Sequence, residues 1–476
     1  MQNNKPLNVL LWLAAIGVFM QTLDSTIVNT ALPAMAQSLG ESPLRMQSVV
    51  IAYSLAMATL IPASGWIADR FGTRRAFLTA IVIFSVGSLA CAYSRSLPQL
   101  VAARVAQGIG GAMLMPVGRL AVLRAFPRER FLQAMSFVAV PGMIGPLIGP
   151  TLGGWLVQIA SWHWVFLINV PVGVIGAVVT YFYMIDARET ALAPFDLGGY
   201  LLLSTSMVAI SLSLEGLSEL KLGQATVIML LILGMATLSA YWLRASRREN
   251  ALFSLQLFKI NSFGVGLLGN LFARTGSGCM PFLIPLLLQV SLDYTALQAG
   301  LMMIPTAAAA IVAKRFATPV IVEYGYRKVL LTNTIVVGVI IASFALMSAA
   351  EPMWLRIVQL TLFGAVNSLQ FTAMNTLALQ DLTAKLASSG NSLLSMVMML
   401  AMSLGVAAAG ALLATFSDLF SHGSAANALP AFRATFLCVG LITCVSAWIF
   451  AQLDPGDQPP PRHAKDAVEK ASSLPD

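Results

Sequence analysis

Charge is what this sequence has least of. Asp, Glu, Lys and Arg make up 10% of its 476 residues, while 58% are hydrophobic; a soluble domain carries roughly 25% charged residues. Most of the chain has no means of facing water, which excludes a soluble globular protein. Histidine is scarcer still. His163, His422 and His463 are the full set, and no HExxH occurs, which removes a zinc hydrolase from consideration. Four cysteines, Cys91, Cys279, Cys438 and Cys444, lie in apolar segments without CxxC or Cys/His spacing. They read as small packing residues, and no metal site is expected. No Walker A sequence is present, so the chain does not draw directly on ATP. The "GIGG" at 108–111 lacks the strand–turn–helix setting of a dinucleotide fingerprint. A membrane-embedded enzyme would need paired aspartates or a serine with a partner base, and a channel a repeated filter or charge ring. None is found. The expectation is a protein that is not an enzyme and holds no cofactor.

What the chain does have is long apolar runs. About 20 apolar residues cross the roughly 30 Å hydrocarbon core as a helix, and runs of that length fall at 9–32, 47–68, 76–94, 98–118, 133–157, 164–184, 197–216, 224–243, 261–289, 296–315, 329–349, 353–374, 389–415 and 432–453. The predicted fold class is an all-α integral membrane protein with 14 transmembrane helices. "AMA" at 34–36 resembles a signal-peptidase site, but the stretch before it is too long for a signal peptide and is interrupted by Gln21, Asp24 and Asn29. It is expected to stay as the first span. Lys and Arg collect in alternate connections, "DRFGTRR" (69–75), "RLAVLRAFPRER" (119–130), "RASRRENALFSLQLFK" (244–259) and "KRFATPVIVEYGYRK" (314–328). The positive-inside rule then places both termini in the cytoplasm. This also explains the formal charge of +8 as an insertion signal, with no nucleic acid implied.

The loop "WIADRFGTRRAFLTA" after the second run is echoed by "VIVEYGYRKVLLTN" after the tenth. Each gives an acid, an aromatic, a glycine and a basic pair, followed by an apolar helix. The offset is eight runs, so two six-helix halves with two extra helices between them are expected. The divisions are 1–190 for the N-terminal half, 191–255 for the inserted pair, 256–454 for the C-terminal half and 455–476 for a polar, proline-rich disordered tail. Halves related in this way place a substrate site at their interface.

"GWIADRFGTRR" (65–75) resembles the helix 2–3 loop signature of the major facilitator superfamily. "LVAARVAQGIGGA" (100–112) and "PGMIGPLIGPTLGG" (141–154) are similar to its helix-four motif and the helix-five motif of its antiporters. "LDSTIVNTALP" (23–33), "WHWVFLINVP" (162–171) and "FDLGG" (195–199) resemble markers of its fourteen-helix drug:proton antiporters. The resemblance implies the major facilitator fold and proton-coupled export of small molecules or drugs across a bacterial inner membrane. The implied partners are a small-molecule substrate, protons and the lipid bilayer, and the expected form is a monomer. It also implies a cytoplasmic gate at Gly65, Asp69, Arg70, Gly72, Arg74 and Arg75, where the arginines pair with Asp69 or with neighbouring helix ends. In the fifth span, Gly142, Gly145, Gly149, Gly153 and Gly154 with Pro146 and Pro150 form a close-packing, bendable helix.

Few charges lie well inside the runs. Asp24 sits roughly 12–15 Å from the outer end of the first span and Arg104 roughly 9 Å from the same surface. They are expected to pair, because charge in a membrane is costly unless partnered. Burial favours a neutral carboxyl and an adjacent arginine a charged one, so a rearrangement that separates the pair suits proton coupling. A permanent ion pair locking two helices is the alternative. Arg274 in the ninth span is either a base that binds an anionic substrate, such as a di- or tricarboxylate or its metal chelate, or a balancing charge for Asp24. Asn29, Gln107, Asn270, Gln289, Asn367 and Gln370 are expected to give the cavity its polar capacity. A sensor or scaffold derived from a transporter is the remaining reading of another class.

Overall fold

The computed structural model describes residues 5–41, 43–186, 188, 194–218, 223–248, 250–420 and 428–453. The expected tail 455–476 lies outside them. Among the described residues all regular structure is helical: α1 (Lys5–Leu39), α2 (Pro43–Leu60), α3 (Ser64–Phe71), α4 (Thr73–Ala92), α5 (Leu97–Ala125), α6 (Arg128–Ile159), α7 (Trp164–Leu167), α8 (Asn169–Tyr183), α9 (Leu197–Ser218), α10 (Gln224–Ala245), α11 (Asn261–Gly278), α12 (Met280–Ser291), α13 (Ala296–Leu301), α14 (Ile304–Ser343), α15 (Met353–Gln380), α16 (Ala384–Phe420) and α17 (Leu429–Phe450). Among the described residues, thirteen stretches are long and apolar enough to cross a membrane. One of them, Leu297–Leu346, has 50 residues, far beyond the roughly 20 that one crossing needs. It breaks at Gly325, whose φ of 77° and ψ of 158° are non-helical, and its two arms complete fourteen crossings.

That break has a counterpart. Gly72, between α3 and α4, has φ 87° and ψ 149°, nearly the same conformation, and both values lie where a side chain is disfavoured. The loop echo in the sequence is thus an echo in the backbone. The helix contacts repeat as well. α1 packs on α6, α4 on α5 and α4 on α8; eight spans later α11 packs on α16, and α14 packs on α15 and α17. The extra pair, α9 and α10, pack on each other, and α9 also touches α2 and α16.

Two expected boundaries change. The stretch 314–328 was expected as a loop from its charges, but α14 runs on through Pro319 and first leaves helical geometry at Gly325. Lys314 and Arg315 therefore lie inside α14, about ten residues or roughly 15 Å before the turn. Lys314 sets its ammonium 3.8 Å from the ring centroid of Phe137 on α6, a cation–π contact. The ninth span is divided at Cys279 into α11 and α12, just ahead of Pro281, because a proline there cannot continue the backbone ladder. The helix ends that carry Asp69–Arg75, Arg119–Arg130, Arg244–Arg248 and Gly325–Lys328 are called the basic end below.

Candidate functional site

Asp24 has no exposed surface, and every polar group around it comes from the first six spans. α5 contributes Arg104 and Gln107, three residues apart and so on one face of the helix. Arg104 Nη1 donates to Asp24 Oδ2 at 2.6 Å and to Gln107 Oε1 at 2.7 Å. Gln107 Nε2 donates to Asp24 Oδ1 at 2.7 Å and to Ser88 Oγ of α4, also at 2.7 Å. Asn169, the first residue of α8, donates to Asp24 Oδ1 at 3.0 Å. Both carboxylate oxygens are engaged, which is the condition for keeping a charge in a dry interior. Arg104 itself is fully buried; its Nε donates to Val49 O at 3.1 Å. Its guanidinium lies over the rings of Tyr53 at 4.1 Å and Phe166 at 5.8 Å. Arg104 Nη2 and the Tyr53 hydroxyl are buried without a hydrogen-bond partner among the described residues.

The structure thus brings Asp24 and Arg104 together and adds Gln107 to them as part of the same cage. Ser88, Tyr53 and Asn169 were not anticipated as members. Asn169 had a signal, since it lies inside "WHWVFLINVP"; a tyrosine or serine in an apolar run has none.

The last six spans hold a different arrangement. Arg274 of α11 is 4% exposed and its Nε and Nη2 donate to Asn270 Oδ1 at 3.2 and 2.8 Å. Asn270, one turn earlier, donates to Gly266 O and Met374 O. The Arg274 guanidinium lies 4.2 Å from the ring centroid of Phe371 on α15. Gln370 is buried between helices, donating to Thr334 Oγ1 and accepting from Asn333. Asn29 and Gln289 are exposed and Asn367 half-buried; Gln289 donates to Pro285 O within its own helix.

At the basic end, Asp69 is bound by Arg124 of α5 and by Ser388 Oγ of α16. Of the arginines expected to pair with it or with neighbouring helix ends, Arg74 takes the second course. Arg74 turns to α8, donating to Tyr181 O and, through its backbone N–H, to Asp186 at 3.2 Å. Arg70 and Arg75 are exposed. Arg124 belongs to the basic run 119–130, where positive-inside topology already accounted for it, so nothing in sequence singled it out. Gly65 is required by the closeness of α16: a Cβ there would stand 2.7 Å from Ser388 O and Ser392 Oγ. Beside it Ser64 and Ser392 place their hydroxyl oxygens 3.0 Å apart. Further contacts from α5 to α16 join Asn391 Nδ2 to Pro116 O at 2.6 Å and Arg119 to Ser395. A continuous polar seam between α3/α5 and α16 closes the basic end there.

α6 is one unbroken helix despite Pro141, Pro146 and Pro150. Side chains placed at Gly145, Gly149 and Gly153 would collide with Thr22, Thr26 and Thr30 of α1. Both sets repeat every four residues or nearly so, giving a glycine face against a threonine face. Gly142 extends the contact to Val18, whereas Gly154 has open space around it. The far side of α6 packs on α13, α14 and α15, so this helix bridges the first and last groups of spans.

The family model of the Major Facilitator Superfamily matches residues 14–406 and 267–475. A protein of Serratia proteamaculans (strain 568) is 49% identical over 447 residues, 93% of each chain. One from Yersinia enterocolitica is 47% identical over 469 residues, 97% of this chain and 98% of that one. Both bear the name MdtD, for multidrug resistance. Among solved structures, the human organic anion transporter MFSD10 superposes with a TM-score of 0.63 at 13% identity, covering 93% of this chain and 99% of the other. The proton:xylose symporter XylE gives 0.65 at 12% identity, with 98% and 99% covered. At such identities these two structures speak to the fold alone, and the fold is theirs. The family match and near-full-length relatives agree with it: this chain belongs to the major facilitator superfamily of membrane transporters.

Proposed function

We propose that the chain is a proton-coupled antiporter that exports small molecules by alternating access. Its two six-helix halves, 1–190 and 256–454, rock about a central site, and the pair within 191–255 lies beside them. The basic end faces the cytoplasm, with both termini there, and the membrane is the bacterial inner membrane, as the positive loops require. The observation that carries the reading is Asp24, a carboxylate with no exposure whose charge depends on Arg104, Gln107 and Asn169. Protonation would remove the charge that Arg104 neutralises and leave the guanidinium free for another partner, which links a proton to helix position. Relatives named for multidrug resistance support a drug-like cargo. The test is proton-driven efflux in proteoliposomes. Asp24→Asn should abolish the response to a pH gradient while the protein is made and inserted at normal levels; undiminished gradient-driven efflux would exclude Asp24 from coupling.

A second reading concerns cargo. Arg274 is buried beside an amide and an aromatic face and is not paired to a carboxylate among the described residues. A guanidinium so placed suits an anionic substrate, such as a di- or tricarboxylate or its metal chelate. Counterflow with carboxylates against cationic dyes decides between the two cargoes, and signal from the dyes alone removes the anionic one.

A further inference from the structure

Two buried arginines, one on α5 and one on α11, stand on helices that pack against α16, and neither is paired with a carboxylate among the described residues. Among the described residues, buried carboxylates stand against other arginines: Asp24 against Arg104, Asp69 against Arg124, Asp196 against Arg244 and Glu351 against Arg356. Arg119 of α5 is 3% exposed and reaches across to α16. There it donates to Ser395 Oγ and approaches Met398 Sδ at 3.2 Å. Its Nε is buried with no partner among the described residues, and so is Oδ1 of Asn391, one turn before Ser395. Arg274 stands on a helix that packs against the one carrying Arg119's partners: Thr275, the next residue of α11, abuts α16 at Gly405, two turns beyond Met398. A hydroxyl and a thioether are poor company for a full charge taken out of water, and an arginine left without an anion is costly to bury. The closed seam therefore holds Arg119 in a setting that a passing anion can improve on.

We propose that Arg119 is engaged alternately by the closed gate and by an anionic substrate. This rests on the anionic-cargo reading of Arg274. When the basic end opens, α5 and α16 part and Arg119 loses Ser395 and Met398. Its guanidinium then joins that of Arg274 in holding the anion from both sides of the seam. Closure returns Arg119 to Ser395 and leaves the anion with Arg274 alone, so the grip loosens as the opposite end becomes accessible. A ligand with an extra contact in one state shifts the population toward that state. The anion thereby favours the form open at the basic end, and release is built into closing.

The test is a distance across the seam in the full-length purified protein. Spin labels go on Arg130→Cys and Lys385→Cys, both exposed at the basic end, with Cys438 and Cys444 changed to serine; Cys91 and Cys279 are buried. Succinate and citrate are the anionic probes and ethidium the cationic control. In the labelled parent the anions should lengthen the distance and ethidium should not. Arg119→Gln should remove that lengthening and weaken anion binding roughly ten- to a hundredfold. Ser395→Ala keeps the charge but removes its anchor, so it should lengthen the distance without any anion and lower the anion concentration for half response. Should Arg119→Gln not fold, Arg119→Lys keeps the charge without the planar fork and should shift the dose response toward higher concentration. If neither carboxylate binds the parent in calorimetry, the anionic reading and the hand-over fall together. If both bind and Arg274→Gln abolishes binding, yet Arg119→Gln opens with the parent's dose response, the anionic reading stands and the hand-over is wrong.

Discussion

At the scale of single residues, a carboxylate with no exposure needs a full set of donors, and Asp24 has three. The energetic consequence is asymmetric. Removing one member of a buried ion pair costs about 3–5 kcal/mol because the other charge is stranded, whereas replacing both is far milder. Arg104→Gln alone should therefore lower the thermal unfolding temperature more than Asp24→Asn/Arg104→Gln does. A double variant less stable than the single one would show that the pair is not the unit the geometry describes. Gln107→Leu should cost about 1–3 kcal/mol, the price of leaving buried acceptors and donors unmet. Only part of this was legible in sequence. Charges in apolar runs advertise themselves, and Asp24 and Arg104 share a depth. Gln107 and Asn169 are neutral, and whether an amide faces a cavity or a carboxylate depends on helix rotation, which one chain position does not reveal.

At the scale of elements, the α1–α6 contact is set by backbone proximity. A methyl group at Gly149 meets Thr26 Oγ1 directly, so Gly149→Ala should destabilise the fold and reduce transport. Adding Thr26→Ala should restore part of the loss, read as unfolding temperature in detergent. The extra pair α9–α10 is fastened at the basic end by Asp196, which accepts from Arg244 Nη2 at 2.8 Å and from Gly199 N–H at 3.1 Å. Burial alone would raise its pKa, but the bonds from Arg244 and Gly199 outweigh it and hold the carboxyl below the usual range. A carboxyl depressed in the folded state stabilises above its unfolded pKa, and that contribution disappears as pH falls through the folded value. Arg244→Gln should therefore shrink the acid-induced loss of stability, with little change in its slope near neutrality. Element existence was readable from apolar run length; the merging of 314–328 into α14 was not, since hydropathy registers charge while a helix stops only for a backbone reason.

At the scale of the whole molecule, the basic end is shut by α16 lying along α3 and α5. The Ser64 and Ser392 hydroxyls, 3.0 Å apart, offer a direct lock. Ser64→Cys/Ser392→Cys should form a disulfide under mild oxidation and stop transport, and reduction should restore it. Retained transport in the fully crosslinked protein would mean that the seam does not open in the cycle. The echo of Gly72 in Gly325, with φ of 87° and 77°, places equivalent turns eight spans apart. Under the proposed alternating access, two such groups would be the moving bodies and the seam the contact that opens between them.

Composition and run length by themselves determined that this chain lives in a bilayer, that its expected crossings number fourteen, and that its loops repeat. These follow from solvent chemistry, because a span must be apolar wherever it lies and a left-handed turn favours glycine in any fold. Tertiary structure alone decided the partners: Arg124 and Ser388 on Asp69, Asn169 on Asp24, Ser395 on Arg119. Such pairings depend on how helices rotate and cross, and lipid, being as apolar as the helix faces, gives the sequence little reason to mark them.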